Sequence, residues 1–247
     1  MGSAAFRLSA GTKRFPNAPG AVFEALDLEL GRGELLVLLG ASGSGKSTLL
    51  RCIAGLDPLT SGELSFDAGA GARATLVFQE PRLMPWLTLR ENVALGLRYA
   101  RNRAAAAAVD VDVLLGELGL VELADRLPGA LSGGQAQRAS LARAVAIHPA
   151  VLLLDEPFSA LDPATRSEMQ DWLLALRARH DLAILMVTHD VNEALRLGDR
   201  VVLLAAGGGV LRSWTQKELG AMPRSEIIAE YRRAVAARPA RLEGVEA

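Results

Sequence analysis

The sequence predicts an α/β fold, with a parallel sheet covered by helices, because two patterns alternate along it. Apolar runs of strand length are followed by longer segments with helical periodicity. The runs Leu35–Leu39, Val151–Leu154 and Ala183–Val187 are apolar at every position, as expected of parallel strands buried on both faces. A chain of 247 residues is long enough to bury such a core.

The elements around these runs differ from one region to the next. The first 30 residues and Glu63–Phe78 are Gly-rich and partly alternating, which predicts an N-terminal antiparallel β subdomain. Residues 83–148 are rich in Ala and Leu without a strand pattern, which predicts an inserted helical subdomain. Residues 1–233 are taken as one domain and 234–247 as a charged tail. Helices are expected after the apolar runs, over Lys46–Ala54, Pro163–Arg179 and Val191–Leu197.

Composition excludes several classes of function. The chain has 27 Lys and Arg against 28 Asp and Glu and a pI near 6.3, which argues against a dedicated nucleic-acid-binding protein. No run approaches the roughly 18–20 apolar residues that cross a bilayer. Residues 1–14 lack the apolar segment of a signal peptide. The single cysteine, Cys52, excludes an internal disulfide and a Cys-rich zinc site, and it fits a reducing cytoplasm.

A glycine-rich segment joins the first apolar run to the helix after it. Residues 40–47 match G-x-x-x-x-G-K-[ST], a pattern that places backbone N–H groups and a helix N-terminus around phosphates. Lys46 is expected to reach the β- and γ-phosphates of a nucleotide, and Ser47 to bind Mg²⁺. The alternative is a flexible Gly/Ser turn with an exposed lysine. The candidate nucleotide-binding residues here are Gly40, Ser42, Gly43, Ser44, Gly45, Lys46, Ser47 and Thr48.

Two carboxylates follow the second apolar run. Asp155 and Glu156 come directly after it, and ligands bind at the carboxyl ends of strands in an open parallel sheet. Asp155 is expected to hold Mg²⁺, and Glu156 to polarise an attacking water. The alternative is a turn with two solvated acids, in which Pro157 ends the strand.

The glycine-rich segment and the acidic pair occur together in several classes of phosphate-binding protein. A third motif, the pentamer Leu131-Ser132-Gly133-Gly134-Gln135, narrows the choice among these classes. Ser132 is expected to cap a helix that runs to about Ile147, and the two glycines leave its N-terminus open to a second anion. An ordinary helix cap is the alternative interpretation. His148 and His180 have no comparable context and are assigned structural roles.

With these motifs the sequence resembles the ATP-binding cassette (ABC) family over about residues 6–211. The resemblance implies the ABC ATPase fold, ATP hydrolysis, and ATP and Mg²⁺ as ligands. It implies that Gln79 senses Mg²⁺ in the Q-loop and that His189 contacts the γ-phosphate. It implies that residues 159–162 form the D-loop, which touches the opposite subunit across a dimer, with Asp162 among the nucleotide-binding residues. It also implies that Phe15 stacks on adenine. Asp162 before Pro163 is also a helix cap, and Phe15 is equally consistent with a strand core residue.

The resemblance also implies partners. ATP is expected between two cassettes, with the phosphate loop of one facing Ser132, Gly133, Gly134 and Gln135 of the other, so a homodimer is expected. Residues 78–88 look like the ATPases of importers for nitrate, sulfonates and taurine, although residues 206–210 depart from their pattern. The implied partners are integral membrane permease subunits and, indirectly, a periplasmic solute-binding protein. The implied location is peripheral, on the cytoplasmic face of the inner membrane.

The expected function is therefore ATP hydrolysis coupled to uptake of a small solute. The alternative is a soluble or envelope-associated ABC ATPase that moves no solute. The apolar group Leu83–Leu87 is expected to form a groove for a short permease helix, or else to pack inside the helical subdomain.

Overall fold

The computed structural model describes residues 4–236 with the exception of 17, 19, 67–73 and 206. Most of the predicted tail, from residue 237, therefore lies outside the described residues. The strands are β1 (Ala4–Arg14), β2 (Ala21–Gly31), β3 (Leu35–Gly40), β4 (Ser61–Phe66), β5 (Ala74–Val77), β6 (Val151–Asp155), β7 (Ala183–Thr188), β8 (Arg200–Leu204) and β9 (Val210–Thr215). The α-helices are α1 (Lys46–Ile53), α2 (Leu89–Ala94), α3 (Arg103–Ala108), α4 (Val111–Glu117), α5 (Gly133–Val145), α6 (Pro163–His180), α7 (Val191–Leu197), α8 (Gln216–Ala221) and α9 (Arg224–Ala236). None of the helices described is long and apolar enough to cross a membrane.

The chain divides into two compact units. The first consists of residues 1–69 and 183–247, and the second of residues 70–182. The assignment of residues 1–233 to a single domain remains a prediction.

The first unit contains the β subdomain and part of a mixed sheet. β1 pairs antiparallel with β2 and β4, which confirms the antiparallel N-terminal region. β3 pairs in parallel with β7 and β8, and β9 pairs antiparallel with β8. β3 and β7 are buried along their whole lengths, as their uninterrupted apolar sequences predict.

The second unit is mainly helical. Between residues 83 and 148, all of which are described, the structure contains helices and loops without a strand, as predicted. α5 begins after Ser132, whose hydroxyl accepts the Gln135 N–H while the Gln135 side chain accepts the Ser132 N–H. α6 begins after Asp162 with Pro163 in its first turn. Both starting points are those that the capping residues predict.

One expectation about the strands is wrong, and one strand is missed by the sequence analysis. Glu63–Phe78 is expected to be antiparallel throughout, but β5 pairs in parallel with β6. Because β5 has only four residues, its sequence pattern is too short to show which strand it pairs with or in which direction. The sequence does not predict β9 at all, because Trp214 is its one buried residue and an exposed edge strand carries no apolar run.

Candidate nucleotide site

The segment between β3 and α1 folds tightly against its own backbone. Gly43 and Gly45 have φ angles of 78° and 87°, which residues with a Cβ rarely adopt. A Cβ on Gly45 would lie 2.8 Å from Val22 Cγ1, and one on Gly40 would lie 2.9 Å from Ser44 Oγ. Glycine is thus required at these positions, and the absence of side chains lets a ligand approach the backbone closely.

Lys46, the first residue of α1, directs its ammonium group into this loop. Its Nζ donates hydrogen bonds to the carbonyl oxygens of Gly40 and Ala41, both at 2.8 Å, and to Ser44 Oγ at 3.3 Å. The residue is 5% exposed. The alternative of an exposed lysine in a flexible turn is therefore wrong, because the cation is fixed inside the loop.

His189 leaves the sheet at the same edge as the glycine-rich loop. β3 and β7 are parallel with Leu39 opposite Thr188, so Gly40 and His189 are the next residues on the two strands. The Thr188 hydroxyl donates a 2.7 Å hydrogen bond to buried Glu193, which fixes the turn, while His189 itself is exposed. This edge of the first unit presents both the lysine loop and an imidazole.

Phe15 follows the end of β1 and is 43% exposed, so it is not a strand core residue. The Nζ of buried Lys13 lies 4.8 Å from the centre of its ring and donates a 2.7 Å hydrogen bond to the carbonyl oxygen of Pro58. This cation–π contact holds the ring and leaves its exposed surface for stacking. Sequence reasoning missed Lys13, whose role depends on a main-chain acceptor 45 residues away.

In the second unit, Gln79 follows β5 and the two carboxylates stand at the end of β6, at the same edge of a parallel pair. Gln79 Nε2 donates a 3.2 Å hydrogen bond to Ser159 Oγ, and Ser159 Oγ donates one of 3.0 Å to the carbonyl oxygen of Glu156. Two hydrogen bonds thus connect the Gln79 side chain to the backbone of Glu156.

Glu156 has a φ of 46°, a conformation that is uncommon for a residue other than glycine. Such backbone strain is concentrated at functional sites. Asp155 and Glu156 are both half-buried, so the alternative of two solvated acids does not describe them.

The helices that start at the two remaining motifs pack together at those starts. A Cβ on Gly134 would lie 3.2 Å from Thr165 Cγ2 and 3.5 Å from Leu161 Cδ2, whereas one on Gly133 would meet nothing within 4 Å. Hydrogen bonds from the hydroxyl and N–H of Thr165 lower the pKa of Asp162 from its usual value, which favours its charged form. The helix-cap interpretations of Ser132 and Asp162 are both correct as local geometry.

Residues 81–87, called here the apolar loop, are held by two polar side chains that sequence reasoning missed. Arg143 of α5 donates hydrogen bonds to the carbonyl oxygens of Arg82 and Pro81 at 2.8 and 3.0 Å. Burial lowers the pKa of the Arg143 guanidinium. Buried Asn92 binds the N–H and the carbonyl oxygen of Met84. The partners of these side chains are main-chain atoms, which every residue has, so the sequence contains no pair of residue types that would predict the bonds.

The apolar loop presents one large apolar side chain to solvent. Trp86 is 72% exposed, whereas Leu83, Met84 and Leu87 are half-buried. Packing inside the helical region is therefore wrong for Trp86. The loop is fixed at its backbone and apolar at its tip.

The candidate metal ligands suit Mg²⁺ carried by phosphates. No cluster of three His, Cys, Asp or Glu able to hold a metal occurs among the described residues. Mg²⁺ keeps several waters and is usually bound by one or two carboxylates and substrate phosphates. Ser47, Gln79 and Asp155 supply hydroxyl, amide and carboxylate oxygens, the donor types that Mg²⁺ prefers.

A glycine-rich loop that encloses a lysine, between a buried parallel strand and a helix, defines a P-loop nucleotide-binding protein. The family model described as ABC transporter matches residues 23–159, more than half of the chain. The chain belongs to this family, and it is an ATP-binding subunit with ATPase activity.

Curated relatives and solved structures agree with this assignment. The chain is 51% identical over 196 residues to the aliphatic sulfonates import ATP-binding protein SsuB 1 of Pseudomonas fluorescens, covering 79% of this chain and 71% of that protein. It is 44% identical over 224 residues to SsuB 1 of Xanthomonas axonopodis pv. citri, covering 89% and 88%. The ATP-binding cassette MJ0796, solved as a dimer in a post-hydrolysis state with ADP and Pi, matches with a TM-score of 0.72 and 32% identity over 85% of this chain and 98% of that one. CbiO1 from Clostridium perfringens, at 24% identity, a TM-score of 0.76 and coverage of 94% and 96%, shares the fold.

Proposed function

We propose that this chain drives a bacterial importer by coupling ATP hydrolysis to the uptake of an aliphatic sulfonate or a related small organic anion. The solute class is proposed because the chain is 51% identical, over 79% of its length, to a sulfonate import ATP-binding protein. In that assembly the chain lies at the cytoplasmic face of the inner membrane, bound to permease subunits that receive solute from a periplasmic binding protein.

The candidate residues divide the chemistry between binding and activation of water. Lys46 and the backbone N–H groups of the loop bind the β- and γ-phosphates, while Phe15 stacks on adenine, which typically contributes about 1–3 kcal/mol per base. Glu156 orients the attacking water and accepts its proton, and His189 holds the γ-phosphate. When bound, Mg²⁺ supplies charge that neutralises the phosphates, with Ser47, Gln79 and Asp155 as its ligands.

Solute uptake tests the proposal directly. Cells lacking this chain are expected to lose uptake of labelled ethanesulfonate and growth on it as sole sulfur source, while growth on sulfate is unchanged. Nitrate and taurine uptake, measured in parallel, define the solute class. Unaltered uptake of all three solutes would favour the alternative of an ABC ATPase that moves no solute.

The proposed dimer places Ser132–Gln135 of one chain against the phosphate loop of its partner. Gly133→Arg blocks that surface while retaining the Ser132 cap, because a side chain at residue 133 meets no neighbour within the chain. Lys46→Ala removes the other half of the site. Neither variant alone is expected to occlude ATP, whereas mixing the two creates one intact composite site per heterodimer.

Retained radiolabelled ATP after rapid gel filtration measures this complementation. The expected value is near half of the wild-type stoichiometry in the fraction that has exchanged subunits. Mixing that restores nothing, although heterodimers are recovered by two-tag purification, would contradict the arrangement in trans.

Within the apolar loop, Leu83–Leu87 are proposed to form a groove that receives a short cytoplasmic helix of the permease. Trp86→Glu should weaken this contact by about 30-fold or more, because an exposed aromatic anchor typically contributes 2 kcal/mol or more. ATP binding and melting temperature of the isolated chain should not change, since Trp86 is mostly exposed. Co-purification with the permease measures the contact. Val121→Glu, at another exposed apolar residue of the second unit, is the matched control; equal effects of the two variants would rule out a specific role of Trp86.

A further inference from the structure

A cavity of about 380 Å³ lies within the second unit, at the C-terminal ends of α5 and α6. α4 and the segment before it complete its wall. Its volume and apolar lining are typical of sites for small organic molecules. The apolar side chains of the wall include Val109, Val113, Leu114, Val145, Leu176 and Leu182.

Two imidazoles also line this cavity. The ring centres of His148 and His180 are 6.1 Å apart, and both residues are exposed. The sequence analysis assigned both residues structural roles and did not predict that the two rings lie close together, because 31 residues separate them in the chain. Imidazole N–H groups donate hydrogen bonds, and a protonated ring adds positive charge.

The acidic side chains of the wall are engaged elsewhere. Asp110 caps α4 by accepting the N–H groups of Asp112 and Val113. Glu117 forms an ion pair with Arg179 of α6. The imidazoles are therefore the groups left to hold the polar end of a ligand. A metal between them would lack a third ligand, since no cluster of three such side chains is found among the described residues.

We propose that this cavity binds a small amphipathic organic anion, with its apolar tail against the valine and leucine wall and its anionic head on His148 and His180. The imidazole N–H groups can donate hydrogen bonds to an anionic head beside the apolar wall. A neutral molecule would leave these N–H groups without a charged acceptor, so an organic anion is favoured.

The cavity also lies where a ligand can influence the nucleotide site, a step that rests on the proposed function. α5 and α6 start at Ser132 and Asp162, pack together near Gly134, and end at the cavity. The 13 residues of α5 span about 20 Å. A ligand between the C-terminal ends changes how the two helices pack, and so the spacing of the motifs at their starts.

Binding is tested by titrating the full chain, without nucleotide, with octanesulfonate and following it by calorimetry. Octanol, which has the tail alone, and methanesulfonate, which has the head alone, are expected to bind at least about 10-fold more weakly. Octanoate tests whether a carboxylate head binds as tightly as a sulfonate head. Equal binding of octanoate and octanesulfonate supports recognition of an anionic head in general.

Two variants test the site. His148→Asn with His180→Gln should weaken octanesulfonate binding about 10-fold, and Asn tolerates the φ of 48° at residue 148. Val113→Trp should block the cavity with little effect on folding, since Val113 is 59% exposed. Lys217→Gln, an exposed cation of the first unit, is the matched control and should bind normally.

Octanol binding as tight as octanesulfonate would overturn the anionic class. Absence of octanesulfonate binding, or binding unchanged in both cavity variants, would overturn the site. An ATP turnover that octanesulfonate changes several-fold in the wild type but not in Val113→Trp supports the coupling, and unchanged turnover with the ligand bound overturns the coupling alone. Because binding is measured without nucleotide or permease, its result is separate from loss of sulfonate uptake.

Discussion

Lys46→Ala is expected to lower ATP turnover by roughly 10²-fold or more, the usual cost of removing a group that stabilises charge in a transition state. The ammonium group is fixed inside the loop by Gly40, Ala41 and Ser44, so its position does not have to be organised when a nucleotide arrives. Nucleotide affinity should fall as well, because in the proposed site the same cation meets the β- and γ-phosphates before and during the reaction. Steady-state kinetics and a fluorescent-nucleotide titration separate the two effects.

The same variant also tests what Lys46 contributes to folding. Its removal takes one hydrogen-bond donor from the Gly40 carbonyl oxygen, the Ala41 carbonyl oxygen and the Ser44 hydroxyl, at a cost of about 1–3 kcal/mol. A moderate fall in the melting temperature is therefore expected with the fold retained. Lys217→Ala on exposed α8 should change neither property. Turnover near the wild-type level in a folded Lys46→Ala protein would contradict the assignment of the loop.

The buried parallel strands and the helix starts could be predicted because their causes are local. Uninterrupted apolar runs marked β3, β6 and β7, and capping side chains marked the starts of α5 and α6. β5 and β9 could not be predicted in the same way: one is too short to show a pattern, and the other is an exposed edge strand.

The candidate site follows the same distinction. Motif residues could be found because each is defined by its neighbours in the sequence. Lys13, Asn92 and Arg143 could not be found, because each holds main-chain oxygens of a distant or irregular segment. A main-chain acceptor is present at every position, so such a bond has no signature in the residue types.

Glu156→Gln is expected to lower the rate of ATP hydrolysis by about 10²–10⁴-fold, the usual contribution of a positioned general base. ATP affinity should stay close to the wild-type value, because the amide retains the size of the side chain and, in the proposed role, contacts the attacking water rather than the phosphates. The fold should also persist. Gln adopts the φ of 46° at about the same cost as Glu, and the hydrogen bond from Ser159 Oγ ends on the main-chain oxygen, which the substitution leaves in place.

The separation of binding from turnover makes this variant decisive for the role of Glu156. A purely structural role would lower the melting temperature together with activity, whereas a general base would lower kcat alone. Glu168→Gln, an exposed acid on α6, controls for loss of negative charge in the same unit and should retain full turnover. Because the base acts only in hydrolysis, the Glu156→Gln chain should accumulate with ATP bound as a closed dimer, seen by size-exclusion chromatography with ATP and Mg²⁺. Hydrolysis within a factor of a few of the wild type would assign the base to another residue.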